Sequence, residues 1–200
     1  MKQEYTDLYK LYKSVFDEGH DCRGRAVNKP WEEHFMFLSL ILAGPEYPVL
    51  EIGSLIGQSS LVFAEACRIK NTQFISVDPY PFHNDAIAPI EYFKRYILAR
   101  YPEVRQYNCD LTECLDKIPE KLSFVYIDGC HDFEHPNREW NILFPRVVSG
   151  GWVAIDDIEP SSNGPREVAE IAKNHEDVLF YDDIYLKYPT EKITRLLRKR

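Results

Sequence analysis

Residues Val49–Ser60 read VLEIGSLIGQSS, and this stretch decides the fold. It begins as an apolar run, turns at Gly53 and Gly57, and continues into LVFAEAC (Leu61–Cys67), which has helical spacing. Glycine allows a tight turn or a positive φ at little steric cost. The following helix directs its first N–H groups at whatever lies in the turn. The stretch therefore predicts a strand, a ligand-binding turn and a helix.

Downstream of this stretch, short apolar runs alternate with helical patterns. Strands are predicted at Val49–Ile52, Gln73–Val77, Val104–Asn108, Leu122–Ile127, Trp152–Ile155, Val178–Tyr181 and Ile193–Leu197. Helices are predicted at Tyr5–Phe16, Trp31–Ala43, Ser59–Ile69, Ile90–Arg100, Leu111–Lys117, Phe133–Val147 and Arg166–Lys173. Such alternation with short connections predicts an α/β fold, a doubly wound, mostly parallel sheet with helices on both faces. We expect a single domain, in which residues 1–45 form a helical cover and 46–200 the α/β core.

Composition narrows the classes of function. The 200 residues carry a net charge of −8, which disfavours binding to a nucleic-acid backbone. The basic tail RLLRKR (Arg195–Arg200) is predicted to be a solvated last strand or a surface face. No run is long enough to span a bilayer, and the N-terminus lacks the apolar region of a signal peptide, so we expect a cytoplasmic protein. The five cysteines show no C-x-x-C pair and are predicted to be reduced and mostly buried.

The glycine turn does not have the features of a phosphate site. Leu55 stands where the middle glycine of a dinucleotide motif would be, and the turn contains no lysine. Glu51 precedes the turn and would repel a phosphate, but it would suit a cation. Asp78 ends the next strand, where an acid can accept hydrogen bonds from two ribose hydroxyls. We therefore expect a ligand with a positive charge near the turn and a ribose further along.

Acidic residues follow the predicted strands along one edge of the sheet. They are Asp78, Asp110, Asp128, Asp156 and Asp157. In an open α/β sheet, ligands bind beyond the carboxyl ends of the strands. Three of these carboxylates, from Asp128, Asp156 and Asp157, offer hard oxygen ligands that suit Mg²⁺ or a similar divalent cation. Because neighbouring strand residues point to opposite faces, Asp156 and Asp157 can share one cation only if the strand has ended by Asp156. Otherwise Asp156 alone would face the site, and Asp157 would cap or solvate a loop.

These motifs together resemble a known enzyme group. The series EIGSLIGQSS, VDPY, YIDGCHDFEH and SGGWVAIDD, in this order from Val49 to Asp157, resembles the class I S-adenosylmethionine-dependent methyltransferases. Within that class it is similar to the catechol-type and macrocin-type O-methyltransferases. The final acid pair, Asp156-Asp157, is closer to the macrocin type, since catechol-type enzymes have Asp-Asn there.

The resemblance implies roles for matching residues. Glu51, Gly53 and Gly57 would line the methionine part of the cofactor, with hydrogen bonds from Ser54 and from Ser59 or Ser60. Asp78 would hold the ribose, and Asp110 would lie near the adenine amino group. On the residues alone, Ser59 and Ser60 could simply cap the helix, and Asp110 could be only an N-cap. Asp128 is expected both to contact the cofactor and to take part in catalysis.

The resemblance also implies the chemistry of the acids. The positions of Asp128, Asp156 and Asp157 would bind a divalent metal that holds the oxygens of the substrate, with Asp128 near the reacting hydroxyl. His131 lies in the same loop and could be a general base, a metal ligand or a contact to cofactor or substrate. His135 is predicted to be a surface residue. The aromatic loop Tyr80–His83 could flank the adenine or only pack.

The leading hypothesis is an S-adenosylmethionine-dependent O-methyltransferase, assisted by a divalent cation and acting on a small hydroxylated acceptor. The alternative is a catalytically silent binding module that retains the cofactor fold. A third hypothesis, an NAD-dependent oxidoreductase, is disfavoured by the missing middle glycine. The aromatic N-terminal helices could cover the substrate, pack in the core or form the surface of a homodimer.

Overall fold

The structure is a computed structural model that describes residues 2–16, 31–80, 89–161, 163–188 and 190–200. Five parallel strands form its main sheet. They are β1 (Val49–Ile52), β2 (Phe74–Val77), β3 (Arg105–Tyr107), β4 (Leu122–Ile127) and β5 (Val147–Ile155), in the order β3-β2-β1-β4-β5. The strand order reverses between β1 and β4, and a crevice opens at such a point beyond the carboxyl ends of the strands.

Helices connect these strands and cover both faces of the sheet. They are α1 (Lys2–Phe16), α2 (Trp31–Ala43), α3 (Gln58–Lys70), α4 (Pro89–Phe93), α5 (Glu134–Leu143) and α6 (Asn163–Lys173). A π-helical turn, Lys94–Leu98, continues α4, and 3₁₀ turns lie at Leu111–Glu113, Leu115–Lys117 and Phe144–Arg146. One core lies between the sheet and α1 to α4, and the other between the sheet and α5 and α6. The predicted doubly wound, mostly parallel α/β fold is confirmed.

The two N-terminal helices belong to the first of these cores. Leu8 and Tyr12 of α1 are buried against the same cluster as Phe37 and Ile41 of α2. The Tyr12 hydroxyl lies 3.0 Å from Nδ1 of the buried His34, which ties the two helices together. Residues 17–30, between these two helices, lie outside the described residues.

An antiparallel hairpin extends the sheet beyond β5. Strands β6 (Val178–Tyr188) and β7 (Thr190–Lys199) give the full order β3-β2-β1-β4-β5-β7-β6, with β7 antiparallel to β5. Both strands are longer than the sequence predicts, because the alternation of charged and apolar residues obscures their ends. The basic tail lies largely within β7. The Arg195 guanidinium is buried and pairs with Asp183 and Glu170, so this part of the tail is not a solvated face.

The start of β5 differs from its predicted position. The sequence predicts a turn at Gly150-Gly151 and a strand from Trp152, but the strand begins at Val147 and its pairing with β4 shifts register along the way. Gly150 has φ +78°, so the irregularity occurs where glycine allows a positive φ. Helix α5 ends at Leu143, before the predicted Val147, because Pro145 cannot continue the hydrogen-bonding pattern of the helix.

Within the described ranges, no helix is both long and apolar enough to cross a membrane. The most apolar, α2, has 13 residues. At 1.5 Å per residue it is about 20 Å long, whereas a hydrocarbon core is about 30 Å thick.

Candidate active site

A cavity with a volume of about 810 Å³ lies at the carboxyl ends of the parallel strands, at the point where the strand order reverses. Eight residues predicted for the site line it: Gly53, Ser54, Ser59, Asp78, Asp110, Asp128, His131 and Asp157. Four other predicted residues do not contribute to its lining: Glu51, Gly57, Ser60 and Asp156. Such a volume is typical of small-molecule and cofactor sites.

Gly53 allows two loops to approach each other at the floor of the cavity. Its φ is +85°, a left-handed conformation that favours glycine. A Cβ atom there would lie 2.0 Å from the carbonyl oxygen of Asp128 and 2.8 Å from the Cα of Gly129. The glycine is therefore required by the contact between the loops that follow β1 and β4.

Gly57 does not line the cavity, but its backbone shapes the turn beside it. Its φ is +90°, and a Cβ atom would lie 2.8 Å from Cγ1 of Ile97. Its N–H donates to the carbonyl of Ser54 at 2.7 Å, which closes the turn before α3. The absent side chain thus makes room for core packing against the π-helical turn.

Glu51 is buried under the glycine turn and organises it. Its two carboxylate oxygens accept hydrogen bonds from the hydroxyls of Ser59 and Ser60. These serines therefore tie the first turn of α3 to the end of β1. The N-cap position of α3 is Gly57, and no side-chain hydrogen bond caps this helix among the described residues. The alternative that the two serines are helix caps is not what the structure shows.

Asp78 joins the loops after β1 and β2. Its Oδ2 accepts a hydrogen bond from the backbone N–H of Leu55 at 2.8 Å, and its Oδ1 accepts one from Tyr80 N–H at 2.7 Å. Leu55 and Tyr80 both have positive φ, +46° and +48°. Asp78 also lines the cavity, next to the glycine turn.

Tyr80 closes the cavity next to the glycine turn. Its hydroxyl lies 2.8 Å from Oγ of Ser54, and its side chain is buried. Burial raises the pKa of the phenol, so the ring remains neutral. The rest of the predicted aromatic loop, Pro81–His83, lies outside the described residues.

Asp110 is an N-cap, which is one of the two roles that the sequence leaves open, and it also lines the cavity. Its side chain accepts from Thr112 N–H at 2.9 Å, and Glu113 accepts from Asp110 N–H, which forms a capping box. Arg138 of α5 pairs with it at 3.1 Å. Partial burial opposes its ionisation, but the hydrogen bonds from Thr112 and the charge of Arg138 outweigh this effect and lower its pKa. It is thus an ionised N-cap at the wall of the cavity.

An acidic cluster faces the cavity from the loops after β4 and β5. Ligand atoms of Asp128, His131 and Asp157 all lie within 4.8 Å of one another. Nε2 of His131 is 3.0 Å from Oδ2 of Asp157. Asp157 has φ +52°, which redirects the chain just after β5. Two carboxylates and an imidazole at these separations fit the donor set of a divalent cation.

The carboxylate of Asp156 points away from this cluster, so the set of predicted cation ligands changes. Its carboxylate is buried and accepts hydrogen bonds from Tyr126 at 2.6 Å, Thr194 at 2.5 Å and Lys192 at 2.5 Å. Its backbone N–H still pairs with Ile127 of β4 at 3.0 Å, so the strand alternation persists through Asp156. The structure thus brings together Asp128, His131 and Asp157 rather than Asp128, Asp156 and Asp157.

Lys192 lies close to the carboxylates of both Asp156 and Asp157. Its Nζ lies 2.5 Å from Oδ2 of Asp156, 3.8 Å from Oδ1 of Asp157 and 3.9 Å from Oε2 of the buried Glu33. Tyr126, which also binds Asp156, has a buried hydroxyl. This burial is the main cause of the raised pKa of the phenol, and the charge of Asp128 is the second. The C-terminal hairpin thus supplies a buried cation behind the acidic cluster.

Glu139 is a residue of the cavity wall that the sequence predictions missed. It is 4% exposed, and its Oε2 has no hydrogen-bond partner among the described residues. Burial, and next the charge of Asp110, raise the pKa of its carboxyl to about 7. The available signal was its position in α5, on the same face as the buried Pro136, Trp140 and Leu143. An acid on the buried face of a helix calls for a specific role.

Cysteines and a second histidine complete the cavity wall. Cys109, Cys130 and His135 all line it, although His135 was predicted to be a surface residue. The four described cysteines, Cys67, Cys109, Cys114 and Cys130, are free thiols, and Cys130 is exposed. The predicted reduced state fits, and Cys130 is an exception to the predicted burial.

Comparison with known proteins assigns the family. A family model described as a methyltransferase domain matches residues 50–158, which is more than half of the chain. This chain belongs to that methyltransferase family. The matched region begins within β1 and ends just after the acid pair Asp156-Asp157, so it contains the glycine turn and the acidic cluster. The predicted membership of the methyltransferases is confirmed.

Solved structures share the fold of this methyltransferase at low sequence identity. A cofactor-bound protein from MTB has a TM-score of 0.71 at 14% identity, covering 98% of this chain and 89% of that one. The O-methyltransferase TomG of Streptomyces achromogenes, involved in tomaymycin synthesis and solved with SAM, has a TM-score of 0.65 at 17% identity, covering 96% and 89%. An O-methyltransferase of Bacillus cereus in complex with SAH has a TM-score of 0.63 at 14% identity, covering 97% and 90%.

The sequence of this methyltransferase is also similar to that of a curated protein. An uncharacterized protein of Acanthamoeba polyphaga mimivirus is 23% identical over an alignment of 137 residues, and the match covers 64% of this methyltransferase. The match spans 59% of the relative's own length.

Proposed function

We propose that this methyltransferase binds S-adenosylmethionine in the cavity and transfers its methyl group to an oxygen of a small hydroxylated acceptor, with the assistance of a divalent cation. One observation carries the proposal. The glycine turn with Asp78 and the acidic cluster of Asp128, His131 and Asp157 line the same cavity of about 810 Å³. A methyl donor and an activated hydroxyl must meet in one such space.

The cofactor supplies an electrophilic methyl group on a sulfonium. Gly53 and Ser54 lie at the wall where its methionine part would bind, and the buried Glu51 holds that wall through Ser59 and Ser60. Asp78 would accept hydrogen bonds from the ribose hydroxyls. Asp110, kept ionised by Thr112 and Arg138, would accept one from the adenine amino group. Two solved relatives in fold, from Bacillus cereus and Streptomyces achromogenes, contain SAH and SAM, which supports this choice of cofactor.

The cation would be held by Asp128, His131 and Asp157, whose ligand atoms have suitable separations. A divalent cation lowers the pKa of a bound hydroxyl and fixes the position of its oxygen. The carboxylates favour Mg²⁺ or a similarly hard ion. This set replaces the predicted one, since the carboxylate of Asp156 is directed to Lys192, Tyr126 and Thr194.

Residues around the cation would accept the proton of the acceptor and compensate the local charge. Asp128 has two carboxylate oxygens, so one can bind the cation while the other accepts the proton of the acceptor hydroxyl. Nε2 of His131 and Oδ2 of Asp157 lie 3.0 Å apart, a separation at which the two side chains could bind neighbouring positions of one cation. Lys192 offsets part of the negative charge from behind, at 3.8 Å from Asp157.

Calorimetry with S-adenosylhomocysteine tests the cofactor step. The wild type should bind it at micromolar levels, and Asp78→Asn should weaken binding about 10- to 100-fold, as expected when hydrogen bonds to a charged group are lost. Thermal unfolding of the variant serves as the fold control, because Asp78 also holds Leu55 and Tyr80. Failure of the wild type to bind would exclude the proposed cofactor.

Methyl transfer to a panel of catechols, hydroxylated sugars and phenols tests the chemistry. Activity should require Mg²⁺ and fall at least about 100-fold in Asp128→Asn, because a general acid–base group contributes about 10²–10⁴-fold. Full activity in EDTA would exclude the cation step while leaving the methyltransferase intact. Binding of the cofactor without turnover on any acceptor would instead favour the silent binding module.

A further inference from the structure

A second group of potential ligands lies at the start of α5, outside the acidic cluster. Cys130, Asp132 and His135 have the spacing C-x-D-x-x-H. The Cys130 Sγ lies 3.2 Å from Oδ2 of Asp132, and the same oxygen lies 2.7 Å from Nδ1 of His135. All three ligand atoms are within 4.8 Å of one another. A thiol, an imidazole and a carboxylate thus converge on one point.

We propose that Cys130, Asp132 and His135 form a second metal site, for a borderline-soft divalent cation of the Zn²⁺ class. Zn²⁺ binds S, N and O ligands at about 2.0–2.3 Å with tetrahedral geometry, so its ligands lie roughly 3–4 Å apart. The separation of 3.2 Å between Sγ of Cys130 and Oδ2 of Asp132 falls in this range, and the 2.7 Å between that oxygen and Nδ1 of His135 is slightly shorter. Three protein ligands leave the fourth position for water or an external ligand. This inference is independent of the proposed reaction.

The two ligand groups differ in chemical preference. Asp128, His131 and Asp157 offer mainly oxygen and suit a hard cation, whereas the Cys130 sulfur favours a softer one. The groups share no residue, although Cys130 and His135 also line the cavity. Thiolate ligation therefore distinguishes occupancy of the second site from occupancy of the first.

Helix capping accounts for only part of the arrangement. Oδ1 of Asp132 accepts a hydrogen bond from the His135 backbone N–H at 2.9 Å, which caps the start of α5. Oδ2 is not used by that cap and is the oxygen nearest the Cys130 thiol. The cap thus fixes Asp132 in the rotamer that a metal ligand would need, while leaving the second oxygen for the ion.

The backbone of this loop is held rigidly. Gly164 of α6 packs directly on it, since a Cβ atom there would lie 2.2 Å from the carbonyl oxygen of Asp132 and 2.6 Å from that of His131. At the same time, the side chains of Asp132 and His135 are 49% and 37% exposed. A rigid backbone with accessible side chains allows an ion to bind from solvent without opening the fold.

Titration with Co²⁺, a spectroscopic substitute for Zn²⁺, tests the site on the whole chain. With Mg²⁺ present to saturate the acidic cluster, Co²⁺ should produce a near-ultraviolet thiolate-to-metal charge-transfer band at one equivalent. Zn²⁺ should remove the band. The band should disappear in Cys130→Ser and persist in Cys109→Ser, a matched control that changes another cysteine of the same cavity wall.

The remaining ligands provide an independent measurement. Loss of even an outer-shell partner costs about 10- to 100-fold in metal affinity, so Asp132→Asn and His135→Ala should each weaken Zn²⁺ binding at least about tenfold by calorimetry. Circular dichroism confirms that each variant is folded. Absence of the band in the wild type, or its survival in Cys130→Ser, would overturn the proposal.

Discussion

The two walls of the cavity are held in place over very different distances along the chain. At the glycine-turn side (Glu51–Ser60 with Asp78 and Tyr80), Glu51 is bound by hydroxyls only eight and nine residues further on. At the acid side (Asp128, His131, Asp156 and Asp157, with Lys192), Asp156 is bound by groups 30, 36 and 38 residues away. One wall is therefore built by a local motif, and the other by the assembly of the whole sheet.

This difference explains which predictions from sequence succeed. The turn after β1, the alternation of strands and helices, and the position of Asp78 all depend on short-range patterns, which a sequence displays directly. The orientation of Asp156 depends on a lysine in the last strand, and no local pattern indicates that contact.

Lys192→Met is expected to cause the largest loss of stability, because it removes the cation that binds the acid side. Removal of one partner from a buried ion pair leaves the other charge uncompensated, so the free energy of unfolding should fall by about 3–5 kcal/mol. Lys173→Met, which removes a more exposed pair with Glu170, is the control and should cost no more than about 1 kcal/mol. Urea denaturation measures both. Equal losses would show that the acid side does not depend on its long-range cation.

Gly53→Ala tests the point where the two sides meet. A positive φ costs an L-residue about 1–2 kcal/mol, and the collision with the carbonyl of Asp128 should raise the total destabilisation to about 3 kcal/mol. Gly150→Ala is the matched control, because its φ is also positive, at +78°, but the nearest atoms to a Cβ lie 3.9 Å away. The difference in urea midpoints isolates the collision. Similar values for both variants would contradict the close approach of the loops.

Glu139 predicts a dependence of stability on pH. Its carboxyl has a pKa raised from 4.5 to about 7, so between these values the folded chain retains a proton that the unfolded chain loses. The free energy of unfolding should therefore fall as pH rises through this window, by about 3 kcal/mol in total. Glu139→Gln should flatten that part of the profile and stabilise the protein above pH 7.

The exposed Glu167→Gln provides the comparison for that profile. Denaturation midpoints measured from pH 4.5 to 8 for the wild type, Glu139→Gln and Glu167→Gln test this prediction. A Glu139→Gln profile parallel to that of the wild type would show that this carboxyl ionises normally in the folded state.

Asp110→Ala should have the smallest effect on stability and separates its two roles. Loss of the N-cap should cost about 1 kcal/mol. Glu113→Ala disrupts the other half of the capping box but leaves the Asp110 carboxylate at the cavity. If Asp110 contacts the cofactor, only Asp110→Ala should weaken binding of S-adenosylhomocysteine in calorimetry. Equal affinities in the two variants would make Asp110 a cap alone.

The features that the sequence did not predict share a physical cause. The sequence does not show that a Cβ atom at Gly57 would meet Ile97, in the π-helical turn after α4. Glu139 lines the cavity because α5 places it beneath Gly129, whose added Cβ would lie 3.7 Å from its Oε1. In both cases the partner comes from another element of the fold. A spacing rule for one element cannot specify a contact between two.

The C-terminal hairpin affects the order in which the two sides of the cavity can form during synthesis. The glycine turn and Asp78 leave the ribosome early and can form their mutual hydrogen bonds as soon as β1, β2 and α3 are folded. Asp156 emerges later, and its ion pair cannot form until Lys192 has followed it. Pairing of β7 with β5 brings Lys192 to Asp156, so we expect the acid side to be completed after the glycine-turn side.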